Sequence, residues 1–65
     1  MNSFKRARLI AGLTQIELAE KLGVSPVSVH KWETGKGLPR AKRLNEVAIT
    51  LHTTASELLD EERAV

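Results

Sequence analysis

The sequence has no cysteine and no tyrosine, and its only aromatic residues are Phe4 and Trp32. Without thiols there is no disulfide and no thiolate metal site to reinforce a fold, which suits a reducing compartment. No apolar run approaches the roughly 20 residues that a membrane-spanning helix needs. No signal-peptide pattern opens the chain either. The expectation is a soluble cytoplasmic protein without membrane contact. A glycine-rich phosphate loop is missing, and no close group of carboxylates is placed to face a pocket. His30 and His52 stand far apart with no ligand-like partners at metal-binding spacing. His30 then reads as a solvent- or phosphate-facing residue, and His52 as a helix C-terminal residue near free carbonyls. These absences argue against catalysis and metal binding, and no cofactor is expected.

A chain of 65 residues is one domain, residues 1–65, near the lower limit for folding alone. Such a chain buries only about 60% of its unfolded surface, so few core positions can be lost. The net charge of +2 decides little, but its distribution is uneven. Residues 1–14 hold Lys5, Arg6 and Arg8 with no acid, and residues 35–45 hold Lys36, Arg40, Lys42 and Arg43 with no acid. Beyond these, Glu46, Glu57, Asp60, Glu61 and Glu62 face only Arg63. Segregation of this kind fits a protein with one polyanion-facing side.

Periodicity predicts an all-α, compact five-helix domain with no strands. Ser3 can cap a first helix over about 4–11, ended by Gly12. Thr14 and Glu17 form a capping box for a second helix over 15–22. Ser25 and Pro26 read as N-cap and first residue of a third helix, over about 26–34. Gly35 to Pro39 is a loop with two glycines and a proline. A fourth helix, about 41–51, carries Leu44, Val47, Ala48 and Leu51 at helical spacing. Thr54 and Glu57 form a second capping box, opening a short fifth helix that ends near Glu61. Residues 62–65 are expected to fray.

Within this series, Gln15 to Thr34 stands out. Leu18, Ala19 and Leu22 make one apolar face, and Val29 and Trp32 make another. Gly23 sits where the first of these helices must stop and reverse, a position that favours positive φ. Ala19 is small where the helices would touch. Small-residue crossing, glycine turn and a second helix with a polar outer face describe a helix-turn-helix, about 15–34. Two charges fall in apolar stripes: Arg8 with Phe4, Ala7 and Ala11, and Glu33 with Val29 and Trp32. Lone buried charges are costly, so the two are expected to pair.

At Arg8, Gly12-Leu13-Thr14-Gln15, Leu18-Ala19, Leu22-Gly23-Val24-Ser25, Val29, Trp32-Glu33, Gly35 and Pro39 the chain resembles the Cro/phage-repressor family of DNA-binding domains, also called the XRE family. The resemblance runs from about Phe4 to Leu59. It implies five helices and operator DNA bound in the major groove, usually by a symmetric dimer. It also implies the Arg8–Glu33 pair and a phosphate contact for Gln15. One departure matters. Many members carry a glutamine or other polar residue where this chain has Pro26, and some use it to bond bases or the residue matching Gln15. Proline has no donor, so that contact is absent.

DNA binding requires an element in the groove, groups on phosphates, and side chains that read bases. With Val29, Trp32 and Glu33 inward, the third helix presents Pro26, Val27, Ser28 and Lys31 as candidate base contacts. An outward β-branched Val27 has no structural purpose but suits a thymine methyl, and the Lys31 ammonium suits guanine O6 and N7. Candidate phosphate contacts are Gln15 and Ser25 at the starts of the second and third helices, His30 on the outer side of the third with Thr34 closing it, and Lys36, Arg40, Lys42 and Arg43 around the start of the fourth. Arg40 is expected to be the most important of them, on phosphate or in the minor groove.

The reading is a sequence-specific double-stranded DNA-binding regulator, a repressor from a phage or mobile element that occupies a palindromic operator as a homodimer. Leu38, Ile49, Ala55 and Leu59 are candidates for a dimer interface or for the rest of the core. The initiating Met and short charged tail suggest a complete small protein. An antitoxin or restriction–modification controller with the same domain is a rival within DNA binding. A protein-interaction module is a rival outside it, but would show an apolar outer face on the third helix and no basic flanks.

Overall fold

A computed structural model describes residues 2–60. Among them are five α-helices and no strand: α1 (Ser3–Ile10), α2 (Gln15–Leu22), α3 (Pro26–Glu33), α4 (Ala41–Thr50) and α5 (Ala55–Leu59). Four begin with a short polar residue whose side-chain oxygen accepts from the third helical amide. Asn2 takes Lys5 N–H, Thr14 takes Glu17, Ser25 takes Ser28, and Thr54 takes Glu57.

Two of these starts differ from the sequence expectation. Asn2, rather than Ser3, caps α1, and Ser3 is its buried first residue. The helix therefore runs one residue earlier, and Ala11 becomes its exposed C-cap instead of part of the apolar stripe. The second capping box is only half formed. Thr54 caps Glu57, but the Glu57 carboxylate accepts from the Thr53 hydroxyl at 2.8 Å. Helix α5 ends at Leu59, while Glu61 and residues 62–65 lie outside the described residues.

Four helices end alike. Gly12, Gly23, Gly35 and His52 all have positive φ, at 75°, 71°, 74° and 56°. In each case the next residue donates its N–H to a carbonyl five positions back: Leu13 to Arg8, Val24 to Ala19, Lys36 to Lys31, and Thr53 to Ala48. This is the left-handed helix stop, in which freed carbonyls regain donors. At Gly23 it turns α2 sharply into the short segment before α3, and Val24 folds back against the core.

The core joins one stripe from each helix: Phe4; Leu18, Ala19 and Leu22; Val29 and Trp32; Leu44, Val47 and Ala48, continued by Leu51; and Leu58. Phe4 and Trp32 meet at a ring separation of 6.1 Å, tilted by 41°, tying α1 to α3. The most extensive helix contact is between α2 and α3, where Ala19 is fully buried. Ala55 packs partly buried against the core, whereas Leu38, Ile49 and Leu59 are exposed. No helix of the described residues is long and apolar enough to cross a membrane.

Candidate nucleic-acid interface

The outer face of α3 is built by the inward pull of three residues. Val29, Trp32 and Glu33 are buried, which leaves Val27, His30 and Lys31 turned to solvent. Val27 is 60% exposed, a high figure for a β-branched apolar side chain. Pro26 is exposed at the first helical position. Ser28 is half-buried, its N–H on Ser25 Oγ at 3.2 Å and its hydroxyl 3.3 Å from the same atom. Ser25 is thereby occupied as a cap. At the far end, the Thr34 hydroxyl donates to the His30 carbonyl at 2.9 Å, closing the helix.

Behind α3 lies a buried charge network. Arg8 and Glu33 are 6% and 8% exposed. Arg8 Nε donates to Glu33 Oε2 at 2.5 Å and Nη2 donates to Oε1 at 3.0 Å, a bidentate pair. Its third arm, Nη1, donates to the Leu13 carbonyl at 2.8 Å, holding the α1–α2 turn. Burial alone would raise the Glu33 carboxyl, but bonds from Arg8 and Gln15 and the Arg8 charge outweigh it. The carboxyl is held below its ordinary value. The bond to Glu33 raises the Arg8 guanidinium against the opposing effect of burial.

Gln15 also enters this network: its Nε2 donates to Glu33 Oε1 at 3.0 Å. The sequence contained a signal for this that the phosphate assignment passed over. Gln15, Leu18, Ala19 and Leu22 are spaced i, i+3, i+4, i+7, so Gln15 lies on the inward stripe of α2 and is half-buried.

Beyond α3, Lys36 is exposed just past the helix end, and Arg40 and Lys42 are exposed at the start of α4. Arg40 is the N-cap of α4 and makes no side-chain cap bond, and the first turn holds no acid. Of the five helices described, α4 is the one without a side-chain cap. Its leading N–H groups, with Arg40 as N-cap and Lys42 in the first turn, leave an electropositive end. Arg43 differs from its neighbours. Its Nη1 donates to the Leu22 carbonyl at 2.7 Å, closing the end of α2, and to Glu46 Oε1 at 2.9 Å. Counting charge along the chain did not show that Glu46, three residues on, offsets Arg43.

Two short helices crossing at a glycine turn, the second with an exposed polar face, define a helix-turn-helix domain. The sequence matches the family model described as helix-turn-helix over residues 4–58, so the chain belongs to that family, in its Cro/phage-repressor (XRE) branch. It is 42% identical over 53 residues to the HTH-type transcriptional activator BcrR of Enterococcus faecalis, covering 82% of this chain and 26% of that protein. It is 38% identical over 45 residues to the cryptic phage CTXphi transcriptional repressor RstR of Vibrio cholerae serotype O1, covering 69% of this chain and 40% of that one. The match thus spans about a quarter of the length of the first relative and two fifths of the second. No solved structure matches it significantly.

Proposed function

We propose that this chain regulates transcription by binding a palindromic double-stranded operator as a homodimer, with α3 in the major groove. The observation that carries the proposal is the division of α3. Its inward residues complete the core, while Val27 and Lys31, four positions apart, form an exposed face that the fold does not use. Val27 would pack on a thymine methyl and Lys31 would donate to a guanine edge, with Pro26 and Ser28 shaping the approach.

Phosphates on either side would be held by the starts of two helices. On one side stand Gln15 and the leading amides of α2, with Ser25, His30 and Thr34 along the groove wall. On the other stand Lys36 just past α3, and Arg40 and Lys42 at the uncapped start of α4, where an anion would satisfy free N–H groups. Arg43 contributes less net charge because Glu46 accompanies it. Repression is favoured over activation by the phage-repressor resemblance and by RstR, although BcrR is an activator. Dimerisation is supported by the exposed apolar residues Leu38, Ile49 and Leu59. The reading also places the protein in the cytoplasm, where its DNA would be.

Selection of bound duplexes from a random pool tests this reading. The enriched site should be a two-fold repeat with half-site centres about one helical turn apart, roughly 34 Å. Lys31→Ala should relax the preference for guanine at one position per half-site, and Val27→Ala the preference for thymine at another. Recovery of the wild-type site by both variants would remove α3 as the reader.

A further inference from the structure

We propose that Glu33 is a positioning residue for DNA binding, fixing the Gln15 amide so that an N–H group, and not its carbonyl, faces the phosphate. The inference rests on the DNA-binding reading above and extends it to a buried residue that cannot itself touch DNA.

The geometry carries the argument. An ionised carboxylate only accepts hydrogen bonds, so the amide meeting Glu33 Oε1 must turn its nitrogen toward it. The flipped amide would set oxygen against oxygen. The nitrogen carries two protons, and the bond to Glu33 engages one of them. The other remains for an acceptor outside the network. Gln15 is also the first residue of α2, beside amides that precede the first intrahelical bond. Thr14 takes the N–H of Glu17, which leaves those of Gln15 and Ile16 at the helix start. A side-chain N–H aimed outward would join them on one anion, whereas a carbonyl there would repel it.

Glu33 is suited to the task because it cannot turn. Both its oxygens accept from Arg8, and Arg8 is anchored in turn on the Leu13 carbonyl. Orientation therefore passes from the α1–α2 turn through two buried charges to an amide at the surface. Freed from Glu33, the amide would sample both faces, and part of its population would oppose the phosphate.

The test is a cycle of affinities for the selected operator duplex, using wild type, Gln15→Ala, the Arg8→Met/Glu33→Met pair, and all three changes together. Gln15→Ala should weaken wild-type binding roughly tenfold, the scale of a bond to a charged acceptor. In the apolar pair it should weaken binding by less than about twofold. An equal loss in both backgrounds, or none in either, overturns the proposal. If the apolar pair does not fold, amide NMR of the free wild-type protein decides. One Gln15 side-chain proton should exchange slowly and lie apart from those of exposed glutamines; an ordinary exposed signal overturns the proposal. A wild-type protein that binds no duplex would instead sink the DNA reading, a failure visible before any variant is made.

Discussion

Asn2 joins the start of α1 to the end of α3, because its Nδ2 donates to the Trp32 carbonyl at 2.7 Å while its Oδ1 caps Lys5 at 3.0 Å. Asp is an equally good N-cap and suits the helix dipole, so on local grounds Asn2→Asp should be harmless. Here it removes the donor and sets a carboxylate against a carbonyl. Asn2→Asp should lose about 1 kcal/mol, and Asn2→Ala about 1–2 kcal/mol. Urea unfolding of both variants checks this, and a neutral Asn2→Asp would mean that the bond to Trp32 contributes nothing.

Arg8→Ala leaves the Glu33 carboxylate buried with only Gln15 as a side-chain donor. The expected loss is on the order of 3 kcal/mol, a large share of what a domain this small possesses. Replacing both Arg8 and Glu33 by methionine should restore much of it, because no unpaired charge is left inside. The comparison of denaturant midpoints separates the cost of breaking the pair from the net worth of having it.

Acid should destabilise the fold through two carboxylates. Glu33 is held below its ordinary value as described, and Glu17 is lowered by hydrogen bonds from the Thr14 backbone and hydroxyl. In the unfolded chain both take up protons at higher pH than in the native protein, so stability falls as pH falls. It should be flat above the ordinary carboxyl range, near about pH 4.3, and drop as pH passes through the lower native values. The methionine pair should show a shallower drop than wild type when urea midpoints are followed down the pH scale.

His52 occupies a place that glycine fills at three other helix ends. A side chain in the left-handed region costs roughly 1 kcal/mol. His52→Gly should therefore raise stability by up to about 1 kcal/mol, less the extra freedom glycine gains when unfolded. Thermal denaturation measures it, and an unchanged or lower midpoint would show that the imidazole has contacts that offset the strain.

Salt should weaken DNA binding with a slope set by the free cations. Lys36, Arg40 and Lys42 on phosphates give a slope of log affinity against log salt of about −2.7 per protomer, whereas a fourth phosphate contact from Arg43, turned away from Glu46, would make it about −3.6. Arg40→Ala should flatten the slope by about one unit without altering the preferred sequence. An unchanged slope would remove Arg40 from the clamp.

The helix-turn-helix was legible in the sequence because its signals are local. Thr14, Gly23 and the Ser25-Pro26 pair lie within a few residues of the ends they set, and the bounds of α2 follow from them. The start of α1 was not, since Asn2 and Ser3 both suit an N-cap and the bond to Trp32 that accompanies Asn2 spans 30 positions. Thr53 and Thr54 posed the same ambiguity for Glu57. The Arg8–Glu33 pair could be read because two charges on apolar stripes have one economical solution. Gln15 and Arg43 were harder. Each has surface chemistry: for Gln15 the helical spacing points inward without naming a partner, and for Arg43 only the packed helices show the bond to the Leu22 carbonyl.

The division of α3 has a consequence for how such a domain changes over time. The eight residues of α3 divide into a buried side and an exposed one. Substitution at Val29, Trp32 or Glu33 disturbs the interior, while Val27 and Lys31 can vary with little effect on folding. If α3 reads the operator as proposed, new target preferences are reachable by single exposed changes, each leaving an intact protein behind it. A lineage of such domains can drift across operators while its scaffold stays still.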